Sequence, residues 1–232
     1  MPVWLIILLG LLVFGAAAIL SALAAQRRRE ALARIAGQLG LRYSEKDPYG
    51  ISSRYTHFTP LSKGDERYAF NVIEGTYRGW PLLCFDYHYE THSTDSKGRR
   101  TTTHHYVSCV LAPLEAWFKR VVIRPESILD KLAAIVGLDD IDFESAEFSR
   151  RFFVKSQDRK FTYDIVHPRA MELLLKHADD GYCLELAGGG VLFHRTGQWK
   201  PERVPGALDF AADFLDLIPP YVWEQVRVHK EA

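Results

Sequence analysis

Residues 80–112 read WPLLCFDYHYETHSTDSKGRRTTTHHYVSCVLA, and this segment indicates much about how the chain folds. Aromatic and β-branched residues, which favour strands, are concentrated in residues 80–90 and 104–112. Between them lies a polar segment, residues 91–103, in which Asp95-Ser96-Lys97-Gly98 is typical of a turn. The stretch therefore predicts an antiparallel hairpin with an exposed, mobile tip.

The same signals extend the hairpin in both directions. Residues 67–74 precede it with a similar aromatic and β-branched pattern, and the segment from Gly75 to Gly79 predicts the connecting turn. Residues 116–123 repeat the pattern after the hairpin. We therefore expect a meander of about four antiparallel strands in sequence order.

The remainder of the chain predicts further strands and helices. The expected strands are residues 141–144, 148–155, 182–187 and 191–195, the last two joined as a hairpin by Gly188, Gly189 and Gly190. Proline in the first turn and an apolar face predict helices at residues 125–136, 168–177 and 205–217. Residues 45–63 are rich in turn residues and are expected to be irregular, with an extended piece at 55–58.

The order of these elements indicates the fold class. Strands come as hairpins separated by helices, not as βαβ units, so the class is α+β. We predict an N-terminal transmembrane helix followed by a mainly antiparallel sheet, a β-meander plus hairpins, packed with three or four helices.

Residues 3–25, VWLIILLGLLVFGAAAILSALAA, carry no charge. A helix of this length rises about 34 Å, enough to cross a hydrocarbon core of about 30 Å. Arg27, Arg28 and Arg29 follow at once, so the positive-inside rule places the N-terminus outside and the rest in the cytoplasm. A signal peptide cleaved near Ala24 is the alternative, but there is no basic n-region and the apolar run is long. The sequence thus predicts a single-pass protein of the bacterial inner membrane.

Three regions follow from this assignment. Residues 1–25 form the transmembrane anchor and residues 26–40 a juxtamembrane helix, in which Leu32, Ile35 and Leu39 share one face and Gly40 ends the helix. Residues 41–232 form the cytoplasmic α+β domain. We expect the juxtamembrane helix to dock on this domain, with its arginines near anionic headgroups.

Charge and spacing indicate the partners. The chain has 29 basic and 29 acidic residues, so no net field favours nucleic acid. The basic stretch from Arg150 to Lys160 is more typical of a solvated strand face than of an RNA surface. Ala17, Ser21 and Ala25 recur every fourth residue, which suits a homo-oligomer through the membrane helix but also arises by chance in an alanine-rich helix. The expected partners are the lipid bilayer and one or more proteins.

Histidines 88, 92, 104 and 105 raise the question of a metal site. A turn centred on residues 95–98 would place His88 opposite His105 and Cys84 opposite Cys109. These two pairs would lie about 13 Å apart along the strands, whereas zinc needs all its ligands within about 2.3 Å of one point. A shift of one residue, which the alternation of Phe85, Tyr87 and Tyr89 favours slightly, would separate the pairs. We therefore predict no metal-binding residues, and a solvated hairpin rim.

The other candidate residues are also typical of structural roles. Cys84, Cys109 and Cys183 lie in apolar strands and are expected to be inert core thiols in a reducing compartment. The glycine triplet at 188–190 does not precede a helix, so it is not a phosphate loop. The acidic residues Asp139, Asp140, Asp142 and Glu144 lack calcium-loop spacing. No hydrolase, kinase or dinucleotide-binding motif occurs, so we predict no catalytic residues and no cofactor.

A set of residues resembles a known family. It comprises Gly64, Asn71-x-x-x-Gly75-x-x-x-Gly79, Phe85-Asp86-Tyr87-x-Tyr89, Asp142-Phe143-Glu144, Phe148, Phe152-x-Val154 and Ser156-x-Asp158. Over about residues 39–218 the chain is similar to bacterial membrane-anchored proteins of unassigned function that carry an FDYxY-containing hairpin domain. The resemblance implies a membrane segment followed by one α+β domain, with Asp86 bonded to a neighbouring strand, and it transfers no catalytic residue.

These observations favour a non-catalytic role. We expect a single-pass membrane-anchored protein whose soluble domain acts in protein interaction or as a scaffold. Two alternatives remain open: a metal-dependent or ligand-binding module that uses the histidine-rich hairpin 88–105, and a sensor of the membrane surface that uses the juxtamembrane arginines.

Overall fold

The computed structural model describes residues 3–126 and 138–227. Its elements in chain order are α1 (Val3–Gln38), β1 (Arg42–Lys46), α2 (Ile51–Arg54), α3 (Thr59–Ser62), β2 (Asp65–Tyr77), β3 (Trp80–Thr94), β4 (Arg100–Pro125), β5 (Asp139–Asp140), α4 (Ala146–Arg151), β6 (Phe152–Ser156), α5 (Arg159–Ile165), α6 (Pro168–Lys176), β7 (Cys183–Thr196), α7 (Val204–Leu217) and α8 (Pro220–Val226). The α+β class with an antiparallel sheet is confirmed. The helix predicted at 125–136 lies outside the described residues, except that Pro125 ends β4 and Glu126 follows it.

The seven described strands form one antiparallel sheet in the order β1-β2-β3-β4-β6-β5, and β7 pairs with β4 outside this path. The strand β4 changes neighbours along its length. Ser108 lies between Asp86 of β3 and Arg195 of β7, whereas Val121 lies between β6 and β7. β4 and β7 therefore link two parts of the sheet.

β4 is one strand of 26 residues, although the sequence predicted two strands. The expected break is instead an irregular stretch between Pro113 and Val121, where the pairing with β7 shifts. Bulges of this kind bend a strand and accommodate a proline without ending the strand.

The predicted hairpin at residues 182–195 is wrong, because the glycine triplet lies inside the single strand β7. Gly188 and Gly190 pair with the irregular stretch of β4. A Cβ on Gly190 would come within 2.8 Å of the carbonyl oxygen of Ala112. The triplet thus lets two bent strands approach closely, which a turn signal read from sequence alone cannot distinguish from a reversal.

The predicted anchor and juxtamembrane helix form one continuous helix, α1, of 36 residues. It is the part of the described chain that is long and apolar enough to cross a membrane, and its apolar window is not buried against the domain. Towards its C-terminus α1 packs on the sheet through Leu32 and Ala36, which are buried. Gly40, with φ 68°, lies just beyond its end.

Two clusters of buried side chains occupy the two faces of the sheet. One face, the helix face, packs Cys84 and Val110 against α1 and α7. The other, the loop face, packs Phe85 and Tyr87 against the two short helices α2 and α3. Because neighbouring residues on a strand point to opposite faces, Cys84 and Phe85 belong to different cores.

The turn between β2 and β3 is shorter than predicted. Tyr77 pairs with Trp80, so the loop is Arg78 and Gly79 alone, with φ 51° and 87°. Positive φ at both positions suits the type I′ turn that fits the twist of a hairpin. Helix α7 buries its predicted face, Leu208, Ala211, Leu215 and Ile218, and its acidic side bonds to this turn.

Three local predictions are wrong. Residues 55–58 are not extended but connect α2 and α3. Residues 148–155 divide between the end of α4 and β6, because Ser145 caps a short helix by accepting a bond from the backbone nitrogen of Phe148. Residues 141–144 follow β5 and are not a strand, although Ile141 and Phe143 are buried and their acidic neighbours are exposed.

Candidate functional site

The β3–β4 hairpin adopts the shifted register. His88 faces Tyr106, Cys84 faces Val110 and Phe85 faces Cys109. This is the register that the aromatic alternation favoured slightly, and the pairs His88–His105 and Cys84–Cys109 of the unshifted register do not form. The shift places the aromatic residues of β3 with Val107 and Cys109 on the loop face, where they are buried. Burial of one face fixes the register, since a slip of one residue would expose the whole set.

The hairpin tip is exposed but shorter than expected. The strands continue to Thr94 and from Arg100, so the loop is residues 95–99. Asp95 organises this loop by accepting bonds from the backbone nitrogens of Lys97 and Arg99, each at 2.9 Å. The bonds from Arg99 lower the pKa of Asp95. Residues 91–104 are all exposed, as expected, and the mobility of the tip stays a prediction.

A buried polar cluster joins α1 to the sheet on the helix face. Asp86 is 3 % exposed, and Arg28 binds its carboxylate through Nε at 3.0 Å and Nη2 at 2.9 Å. Asn71 and Ser108, on the two flanking strands, donate to the same carboxylate at 2.9 and 2.8 Å. Gln198 donates at 3.2 Å. Asp86 thus bonds to both neighbouring strands and fixes the helix above them.

Asn71 suits its position for a backbone reason as well. It has φ 52° and lies in the irregular stretch where β2 pairs unevenly with β3. Asparagine adopts this left-handed conformation more readily than most residues. Its amide nitrogen donates to Asp86, and its amide oxygen accepts from the Tyr43 hydroxyl at 2.8 Å. The bulge therefore places the Asn71 side chain in the cluster, where its amide nitrogen and its amide oxygen both form hydrogen bonds.

Sequence reasoning missed the pairing of Arg28 with Asp86. The signal was present, because an aspartate within the apolar run Leu82–Tyr87 needs a partner if it is buried. The partner, Arg28, however, lies 58 residues away in the sequence, on another element, and several other cations are nearer. Of the three juxtamembrane arginines, Arg28 binds Asp86 and Arg29 binds Glu45 at 2.6 Å.

The contacts of α1 give the hairpin a direction. Leu41, just after the helix, lies over Gly75, which is opposite Leu82. Arg28 lies over Asp86. Moving along α1 towards its apolar N-terminal part therefore corresponds to moving along β3 from Leu82 towards the hairpin tip. We call this end of the domain, with residues 88–104, the membrane-proximal end.

A cleft of about 810 Å³ opens at the membrane-proximal end. Ser21, Ala24 and Ala25 of α1 form one wall. Tyr68, Phe70 and Tyr106 of the sheet line the other side, and Tyr68 and Tyr106 are 47 % and 40 % exposed. Two of the three small residues noted in the sequence thus face this cleft.

His88, Glu90 and His104 converge at the edge of the cleft, next to its aromatic residues Tyr68 and Tyr106. Their ligand atoms all lie within 4.8 Å of one another. His88 Nε2 is 3.1 Å from His104 Nδ1, which is 3.2 Å from Glu90 Oε1. His88 is 3 % exposed and packs between the rings of Tyr68 and Tyr106, whose centroids are 4.7 and 5.1 Å away.

The other two hairpin histidines lie elsewhere. His92 is further towards the tip, with Nδ1 3.0 Å from the Thr102 hydroxyl. His105 is on the loop face, stacked on Tyr89 with an interplanar angle of 11°. The structure therefore groups two of the four histidines, and the shifted register determines which two.

The remaining candidates have structural environments. All three cysteines are buried, and burial raises the pKa of Cys84 and Cys109. Asp140 contacts Lys155 at 3.4 Å, and among the described residues the acidic stretch 139–144 forms no converging set of ligand atoms. In the basic stretch, Arg151 binds Asp179.

Comparison with known proteins gives a fold neighbour. No protein family model matches the chain, and no curated protein matches it. A solved structure that resembles it is the mycobacterial trehalose monomycolate transport factor A, TtfA. The two share 14 % sequence identity with a TM-score of 0.57, over 84 % of this chain and 96 % of that one. At this identity the likeness shows a shared fold.

Proposed function

We propose that this protein is a single-pass protein of the bacterial inner membrane whose α+β domain is a non-catalytic interaction or scaffold module. The N-terminus lies outside, and the domain lies in the cytoplasm. The carrying observation is that α1 passes without interruption from an exposed apolar segment into the domain, where Arg28 and Asp86 fix it.

Rigid coupling of anchor and domain supports the scaffold role. A flexible linker would let a tethered domain sample many heights and orientations. Here the helix that enters the bilayer also packs on the sheet through Leu32 and Ala36. The domain is therefore held in one orientation, which suits a protein that positions a partner relative to the membrane.

The three arginines support the orientation, since basic residues next to a span favour the cytoplasmic side. Their contacts argue against the membrane-sensor alternative. Arg28 and Arg29 bind Asp86 and Glu45, so these two charges are used within the domain.

Trp117 marks a surface for a protein partner. It is 71 % exposed and lies in the irregular stretch of β4. Leu111 of β4 pairs with Leu83, which is next to Leu82 and therefore near the level at which α1 ends. Trp117 lies further along β4, in the direction away from the hairpin tip, and so lies beyond that level. Tryptophan is enriched among residues that dominate the energy of protein interfaces. The end away from the membrane thus presents an aromatic side chain suited to docking.

The fold neighbour supports an accessory role. Its name is that of a transport factor, and this name describes transport and not a chemical reaction. The inference is by analogy of fold, which by itself does not specify function.

Site-specific photocrosslinking in cells tests the interaction role. We place a photoreactive amino acid at position 117 in the full-length protein and, as a matched control, at the exposed aromatic position 68 in the cleft. We expect one discrete protein adduct at 117 that mass spectrometry identifies and that position 68 does not give. The same adduct at both positions, or none at 117, contradicts the proposed surface.

A reporter fused after Ala232 tests the orientation. Activity of a cytoplasmic reporter is expected, and activity confined to a periplasmic reporter contradicts the topology. Turnover of a small molecule by the purified full-length protein would contradict the non-catalytic role.

The metal-dependent alternative also has a specific observation in its favour. His88, Glu90 and His104 form the converging set of ligand atoms described above.

A further inference from the structure

We propose that His88, Glu90 and His104 form a binding site for a divalent transition metal ion, with zinc as the ion that fits the donor set. Two imidazole nitrogens and one carboxylate oxygen are a common set of zinc ligands. The inference does not depend on the scaffold role or on the orientation of the anchor.

The distances between donor atoms suit a single ion. Zinc bonds to nitrogen and oxygen at about 2.0–2.2 Å, so neighbouring ligands in a tetrahedron are about 3.3 Å apart. His88 Nε2 and His104 Nδ1 are 3.1 Å apart, and His104 Nδ1 and Glu90 Oε1 are 3.2 Å apart. The ligand atoms of His88 and Glu90 lie within 4.8 Å of each other, so rotation of the partly exposed Glu90 side chain would bring the three atoms to this spacing.

The sheet itself brings the donors together. His88 and Glu90 are two residues apart on β3 and therefore point to the same face. His104 lies directly opposite Glu90 on β4. Pairs of ligands separated by four residues along a strand are too far apart to share one ion, whereas His88 and Glu90 are separated by only two residues.

The backbone orients His88 for metal binding. Its Nδ1 lies 3.2 Å from the carbonyl oxygen of Glu66, so a proton on Nδ1 donates to that oxygen and leaves the Nε2 lone pair facing His104. Ligating histidines almost always carry such a second hydrogen bond, which fixes the tautomer and the ring. Glu66 has φ 48°, an unfavourable conformation for a residue with a side chain.

Gly64, two residues before Glu66, also has a positive φ. A Cβ on Gly64, which has φ 64°, would overlap the carbonyl oxygen of Glu90. Glycine therefore lets the start of β2 approach β3 at the triad, and the irregular pairing between Asp65 and Tyr68 directs the Glu66 carbonyl to His88. Strained backbone that orients a side chain in this way is concentrated at functional sites.

The site is buried on one side and open on the other. His88 is enclosed, the Glu90 side chain is 18 % exposed, and the His104 side chain is 56 % exposed. An ion can therefore enter from solvent past His104. Three protein ligands leave a fourth position for water or for an oxygen of another molecule at the membrane-proximal end.

Zinc titration of the full-length protein in detergent, after removal of metal with a chelator, tests the site. We expect binding of one ion by calorimetry and a weakening of at least about tenfold in His104→Gln, because even outer-shell changes cost about 10–100-fold in affinity. Glu90→Gln should weaken binding while it keeps a side chain of the same shape. His104 is the first choice because it is exposed and its replacement leaves the core intact.

His92→Gln and His105→Gln are matched controls on the same hairpin, and both should bind zinc as the parent protein does. Cobalt(II) substitution gives an independent readout: nitrogen and oxygen ligands should produce d–d bands without the thiolate charge-transfer bands that cysteine ligands would add. If the parent protein binds no zinc at submillimolar concentration, the metal site is contradicted, and the contact between His88 and His104 is a hydrogen bond alone. Equal losses in His104→Gln and His92→Gln, or thiolate bands, also contradict the metal site.

Discussion

Asp86 and Glu185 are both buried carboxylates, 3 % and 2 % exposed, but they differ in their hydrogen-bond donors and in their paired cations. Asp86 receives donors from three strands or loops and a paired guanidinium from α1. Glu185, on β7, accepts a bond from the backbone nitrogen of Thr59 at 2.8 Å and also bonds to the Thr59 side chain. Its cation, Arg120, is 3.5 Å away, beyond good hydrogen-bond distance.

The environment of Glu185 has a consequence for its ionisation. Burial raises the pKa of Glu185, because the bonds from Thr59 and the charge of Arg120 compensate only in part for lost hydration. Arg120 shares in this weaker arrangement, since its Nε has no hydrogen-bond partner among the described residues. The lost hydration of a buried charge is compensated best where a complete set of donors surrounds it, and Asp86, at the junction with α1, has such a set.

The largest effect is expected from Asp86→Ala. Removing the carboxylate leaves the Arg28 guanidinium and the donors of Asn71 and Ser108 without their acceptor, and breaking a buried pair from one side costs about 3–5 kcal/mol. Chemical denaturation of the full-length protein in detergent measures the loss. Arg29→Ala, which breaks the exposed pair with Glu45, is the control and should cost less than about 1 kcal/mol. Similar losses of stability in the two variants would mean that the buried Asp86 cluster contributes no more than the exposed pair of Arg29 and Glu45.

Substitution of Asn71 sharpens the account of the Asp86 cluster. Asn71→Ala should destabilise by about 2–4 kcal/mol, because it loses bonds to Asp86 and Tyr43 and places alanine at φ 52°. Asn71→Gly removes the same bonds but tolerates the backbone, so it should recover about 1 kcal/mol. If alanine and glycine are equal at this position, the conformation of the bulge is not part of the reason for asparagine.

Glu185→Gln should change stability by a small amount in the opposite direction, so that the variant is more stable than the parent protein at neutral pH. Because the folded-state pKa is raised, the native protein keeps a proton that the unfolded chain releases above about its ordinary value of 4.5. The parent protein therefore loses stability as the pH rises from there through the raised pKa. Glutamine cannot ionise, so the variant should match the parent in acid and be up to about 1 kcal/mol more stable at neutral pH.

Unfolding curves of the parent and the Glu185→Gln variant from acid to neutral pH check this difference. A variant that becomes relatively less stable as the pH rises would mean that the ion pair with Arg120 outweighs desolvation.

The smallest effect is expected at the hairpin tip. Replacing residues 94–100 by Asn-Gly removes an exposed loop that contacts neither buried carboxylate, and Asn-Gly fits a two-residue hairpin turn. We expect the thermal midpoint to change by no more than about 4 °C. Loss of the cooperative transition would show that the loop supports packing elsewhere.

The sequence predicted elements better than their connections. The pattern in residues 80–90 and 104–112 identified a hairpin, and the face of α7 with Leu208 and Leu215 was assigned correctly. The breaks were predicted less well: a break between residues 112 and 116 and a turn at the glycine triplet 188–190 were expected, but both segments lie within continuous strands. Proline and glycine favour turns and bulges alike, and the neighbouring strand decides between them.

The apolar N-terminal helix, the α+β class and the polar hairpin tip could be predicted from the residues alone, because hydrophobic length, alternation and turn residues are local properties. Which side chains meet depends on the packing of the folded chain. The pair Arg28–Asp86 joins elements 58 residues apart, and the triad His88–Glu90–His104 exists in one hairpin register and not in its neighbour. Register is set by the total burial of a strand face against other elements, and a shift of one residue moves every side chain to the opposite face.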